Sequence, residues 1–135
     1  VDDVPEIPDG HLFLGFCLLQ SGNVEGARAA YETALERDPE SPEAANGLAW
    51  TLIEMPGSAK RAVELAELAV KQEPTAYYLD TLARACLKAG DCARAAEAAD
   101  RAHTAMPEDE NFRQLVEDVR KACGGESGAA PASGP

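Results

Sequence analysis

The chain has 135 residues, of which 45% are hydrophobic, 5% aromatic and 27% charged, with a formal net charge of −12. That length suits one domain with its own core, and an alanine-rich, aromatic-poor composition points to close-packed helices rather than a sheet. The acidic balance argues against nucleic acid, where phosphate neutralisation supplies most of the affinity, and against unaided docking on anionic lipid.

Residues 1–9 place Asp2, Asp3, Glu6 and Asp9 around two prolines and read as an extended, acidic lead-in. The first residue is Val1, which points to a processed product or a piece of a longer polypeptide. Hydrophobic spacing then predicts seven helices over residues 10–21, 24–37, 42–54, 59–72, 76–89, 92–105 and 109–122. Gly22 and Gly90 stand where a helix must end in a left-handed turn. Asp91 suits the start of the next helix. Pro39, Pro74 and Pro107 close the second, fourth and sixth helices, because proline lacks an N–H and disfavours helix in the residue before it. The turn Glu54–Ser58 holds one extra residue, with Ser58 as a candidate cap, and the junction Glu73–Ala76 is one residue shorter. The seventh helix carries Phe112, Leu115, Val116, Val119 and Cys123 on one stripe. Residues 124–135 are Gly, Ala, Ser and Pro with one Glu, the composition of a disordered tail or linker. No apolar run is long enough to cross a membrane.

The elements repeat. Ala27, Tyr31 and Ala34 precede Pro39 with the spacing by which Ala62, Ala66 and Ala69 precede Pro74, and Ala95, Ala99 and Ala102 precede Pro107. Leu14-Gly15 with Leu18 recurs 34 residues on as Leu48-Ala49 with Leu52, and again as Leu82-Ala83 with Cys86. This pattern resembles the tetratricopeptide repeat, and the runs Asn46–Trp50 and Arg61–Ala66 are similar to bacterial members of that family. The resemblance covers residues 8 to 123 and implies an all-α, right-handed superhelical solenoid. Its repeats would span about 8–41, 42–75 and 76–108, with a capping helix over 109–123. Glu117 stands where the repeats place Gly or Ala and would block a further helix.

In that family the first helix of each hairpin lines a concave groove. The resemblance therefore implies a binding face of Leu12, Phe16 and Gln20 from repeat one, and Asn46, Trp50 and Ile53 from repeat two. Repeat three adds Tyr77, Asp80, Thr81, Arg84 and Lys88. One end of this face is aromatic and the other basic, which suits a peptide with an apolar anchor and an acidic end. Phe16 and Trp50 have a second reading, as packing between hairpins. Arg84 and Lys88 have one as solvated charges beside Asp80. Some members hold terminal carboxylates with a Lys-Asn-Asn-Lys-Arg set. The matching positions here are Leu12, Phe16, Gly47, Tyr77 and Thr81, so that mode is not expected.

Cys17, Cys86, Cys92 and Cys123 form no CxxC pair, so no metal site is expected. Cys17 and Cys86 fall on or beside buried repeat positions, and a Cys86–Cys92 disulfide across the tight turn is sterically conceivable. His11 and His103 are isolated, and acidic pairs such as Glu64 with Glu67 read as solvation. No nucleophile, base and oxyanion donor come together, and no cofactor loop is present. The expected function is a non-enzymatic scaffold that binds a protein or peptide. The alternative is a structural subunit packed permanently in a larger assembly. A soluble chain, cytoplasmic or exported, is compatible with either.

Overall fold

In a computed structural model, residues 9–124 are described. They form α1 (Asp9–Gln20), α2 (Val24–Arg37), α3 (Pro42–Ile53), α4 (Ala59–Gln72), α5 (Ala76–Ala89), α6 (Cys92–Ala105) and α7 (Glu110–Ala122). No strand occurs among the described residues. Four helices have the predicted bounds, and the other three differ by a single residue at one or both ends. The acidic lead-in and the Gly/Ala/Ser/Pro tail fall almost wholly outside these residues.

The helix ends follow local chemistry. Asn23, Ser41, Thr75, Asp91 and Asp109 each accept a backbone N–H of the following first turn through the side chain. Ser58 makes no such bond, so the α4 start is without the side-chain cap that the sequence suggested. At the end of α5, Gly90 has φ 83° and Asp91 N–H donates to Cys86 C=O at 2.9 Å, the hydrogen bond of a left-handed helix stop. The end of α1 is built alike, with Asn23 N–H donating to Leu18 C=O at 2.8 Å.

The helices pair as antiparallel hairpins, α1/α2, α3/α4 and α5/α6, and each later first helix packs on both helices of the hairpin before it. The alanine ladder of each second helix is the core: Ala27, Ala62, Ala66, Ala69, Ala95 and Ala102 are fully buried. Small side chains let backbones approach, and the larger Leu48, Leu82, Phe112 and Leu115 fill the remaining space. Two ion pairs tie successive second helices at equivalent positions: Glu32 to Arg61 at 3.1 Å, and Glu67 to Arg94. Glu67 is thus a junction residue, not only a solvated charge.

Repeat one departs from its siblings. Leu48 and Leu82 are buried, whereas Leu14 at the same register is 47% exposed, because no described helix packs on that side of α1. Cys17 is exposed for the same reason, against the sequence expectation, while Cys86 is buried as expected. The disulfide joins Cys92 to Cys123, not to Cys86. Cys86 points into the core, and α7 runs antiparallel to α6, so Cys123, the residue just after α7, returns to Cys92 at the start of α6. The bridge fastens α7 over the last hairpin.

Candidate functional site

The first helices carry rows of equivalent residues 34 apart. One row is Phe16, Trp50 and Arg84, a second is Leu12, Asn46 and Asp80, and a third is Gln20, Glu54 and Lys88. Helical geometry places the three rows on one face of α1, α3 and α5.

Trp50 is the centre of this face. It is 40% exposed and stands between two clefts of about 340 Å³ each. The cleft between α1 and α3 is lined by Leu19, Gln20, Gly22, Val24, Trp50 and Glu54. The cleft between α3 and α5 is lined by Trp50, Ile53, Glu54, Arg84, Leu87 and Lys88. The Arg84 guanidinium lies 6.0 Å from the indole centroid, at cation–π range. Asp80 accepts from Arg84 Nε at 2.6 Å and so orients that cation. Arg84 is therefore paired with Asp80 within its helix, as the second reading had it, and also lies over the tryptophan.

Phe16 is 52% exposed, Gln20 and Lys88 are exposed, and Leu12 is half-buried against the core. Asn46 is half-buried, and its Oδ1 is shielded from solvent without a hydrogen-bond donor. Tyr77 is 61% exposed and meets Phe112 edge-on, with centroids 5.4 Å apart. Two expected residues turn inward. Ile53 is 8% exposed and forms cleft floor rather than a displayed contact. Thr81 is 5% exposed, and its hydroxyl donates to Tyr77 C=O at 3.3 Å.

Sequence reasoning omitted Glu54 and Leu87. Glu54 opens the turn after α3, as the sequence suggested, and from there, one helical turn beyond Trp50, it walls both clefts. The signal that could have found it is its register with Gln20 and Lys88.

The profile of the tetratricopeptide repeat matches residues 4–50 and 18–85. The chain belongs to the tetratricopeptide repeat family. No curated protein matches it. Solved structures with the same fold include the Thermobaculum terrenum O-GlcNAc transferase K341M mutant, at TM-score 0.80 and 20% identity over 89% of this chain. The chain spans 23% of that transferase. A thermophilic tetratricopeptide protein of Thermus thermophilus, TTC0263, gives TM-score 0.79 and 22% identity, covering 90% of this chain and 69% of its own. The Sgt2 tetratricopeptide domain of Aspergillus fumigatus gives 0.79 and 21%, covering 95% and 85%. At these identities the likeness is one of fold. Tetratricopeptide arrays generally mediate protein–protein interaction through extended concave surfaces. No helix among the described residues is long and apolar enough to cross a membrane.

Proposed function

We propose that this tetratricopeptide array binds a segment of another polypeptide along the face centred on Trp50, without catalysis of its own. The observation that carries the reading is the convergence at one place of an exposed indole, an oriented guanidinium and two flanking clefts. Aromatic and arginine side chains are the usual energetic anchors of an interface. Asn46 supports it, since a buried amide oxygen without a donor suits a backbone N–H of a bound chain. Phe16 and the Trp50 clefts would take an apolar side chain, and Arg84 with Lys88 an acidic one. The Cys92–Cys123 bridge favours work in an oxidising compartment.

The test is a pull-down from the native organism with the wild-type chain and a Trp50→Ala, Arg84→Glu variant whose fold is checked by circular dichroism. Captured proteins are then mapped to a synthetic peptide for titration. Binding lost in the folded variant supports the groove. Binding kept in it overturns the groove and favours the structural-subunit reading.

A further inference from the structure

The two ends of the array differ. At the C-terminal end α7 presents Arg113, Gln114, Glu117 and Arg120 to solvent. At the other end α1 presents hydrocarbon. The residues by which α3 and α5 enter the preceding hairpin are Gly47, Leu48 and Thr51, and Thr81, Leu82 and Ala85, all buried. At the same register on α1 stand Phe13, Leu14 and Cys17. Phe13 is 70% exposed, Leu14 47%, and Cys17 is exposed. At about 100° per residue these three share one arc of the helix, together with Gly10. The arc carries no charge. α1 holds no Lys, Arg or Glu and only Asp9 at its first position, in a chain of net charge −12.

Two departures tell against one more hairpin of the same series on this face. The junctions between repeats place Gly47 or Thr81 where α1 has the bulky Phe13. They are also tied by Arg61 and Arg94 to a glutamate of the hairpin before, and at that position α2 has Gly26, with no cation to offer. The polar outer face of α7 equally gives head-to-tail stacking of copies nothing apolar to use. A second copy meeting the first through α1 has neither problem. It brings a matching uncharged apolar face, so two strongly acidic chains can meet there without setting like charges together at the contact.

We propose that the Phe13–Leu14–Cys17 face of α1 is a homodimer interface, in which two copies meet α1 to α1 about a two-fold axis with Cys17 near that axis. One helix from each side buries less than the roughly 1,200–2,000 Å² of a stable complex, so the dimer is concentration-dependent and sits in the micromolar range.

Sedimentation velocity of the full chain across the micromolar range reads the equilibrium, compared with Phe13→Glu, Leu14→Glu and checked by circular dichroism. Both residues are exposed, so the variant keeps its fold. A short bis-maleimide reads proximity at Cys17, the exposed free thiol among the described residues, with Cys17→Ser as control. The expected result is a wild-type dimer, cross-linked through Cys17, with dissociation strengthened about tenfold or more by the two glutamates. A wild-type chain monomeric throughout would overturn the proposal, leaving the face to a helix from another polypeptide. So would a dimer indifferent to the glutamates or not cross-linked at Cys17, since its interface would lie elsewhere.

Discussion

The Tyr31 ring occupies the space that a side chain on Gly47 would need: a Cβ built there meets Tyr31 Cε1 at 2.2 Å and Cζ at 2.4 Å. The same ring closes on Gly15 from its other edge, at 2.9 Å. One buried tyrosine thus joins the first two hairpins by filling the place of two missing side chains. Gly47→Ala should cost about 1–3 kcal/mol, the usual range for overpacking a filled core, read as a lower midpoint in urea. In a Tyr31→Ala background the same substitution should cost less than it does alone. A double-mutant cycle measures that coupling, and simple additivity would show that the ring and the glycine do not compete for one space.

The period, the seven helices and the alanine ladder were legible because each rests on local chemistry: caps, proline stops and small residues at fixed spacing. The misassigned residues are those whose environment depends on what lies beyond their own helix. Leu14 and Cys17 match buried markers of later repeats, but no described helix packs on their side of α1. Cys92 pairs with Cys123, 31 residues away, because α7 doubles back along α6, and periodicity carries no information about that return. Ile53 and Thr81 were placed on the binding face by register, yet the turn of each helix sets them toward the neighbouring hairpin. Glu54 was missed for the opposite reason, since the irregular turn after α3 hid its register.

The Cys92–Cys123 bridge closes a loop of 31 residues around the last hairpin and the cap. Chain entropy assigns such a link about 3–4 kcal/mol. Cys92→Ser should lower the thermal midpoint accordingly. Amide exchange should speed up most in α7, which packs on only one neighbouring hairpin. Uniform acceleration across all seven helices would show instead that the bridge stabilises the array as one unit.

The two free thiols should separate cleanly in reactivity. Burial, with a smaller contribution from Asp91, pushes the Cys86 thiol up to about 11, so it stays protonated at neutral pH as well as shielded. Only the thiolate is nucleophilic. Iodoacetamide at neutral pH should therefore label Cys17 in the native chain and reach Cys86 only on unfolding, as peptide mass mapping would report. The unfolded Cys86 thiol ionises before the folded one. Its contribution to stability is therefore complete below the unfolded value and fades as pH rises through about 11.

Glu32 titrates in the other direction. Its hydrogen bond from Arg61 holds the carboxyl below the ordinary glutamate value, against an opposing effect of burial. The junction pair therefore stabilises the fold above the unfolded glutamate value of about 4.3 and is lost as pH falls through the folded value. Arg61→Gln should raise the Glu32 value, and a carboxyl-detected NMR titration checks this. An unchanged value would mean that Arg28, which lies 3.5 Å away, holds the charge by itself.

Ile53 and Trp50, one helical turn apart, should behave as opposites. Ile53 is buried, so Ile53→Ala should destabilise by about 2–5 kcal/mol, like other large-to-small core changes. Trp50 is 40% exposed, so Trp50→Ala should cost far less stability while removing the anchor of the groove. The chain has a single tryptophan, so its fluorescence reports this face alone. A bound peptide should shift the Trp50 emission to the blue as the clefts fill, and Arg84→Ala should weaken that peptide while leaving the unfolding midpoint nearly unchanged. If Trp50→Ala unfolds the array as severely as Ile53→Ala, the indole is a packing element between hairpins and the binding face must be sought elsewhere.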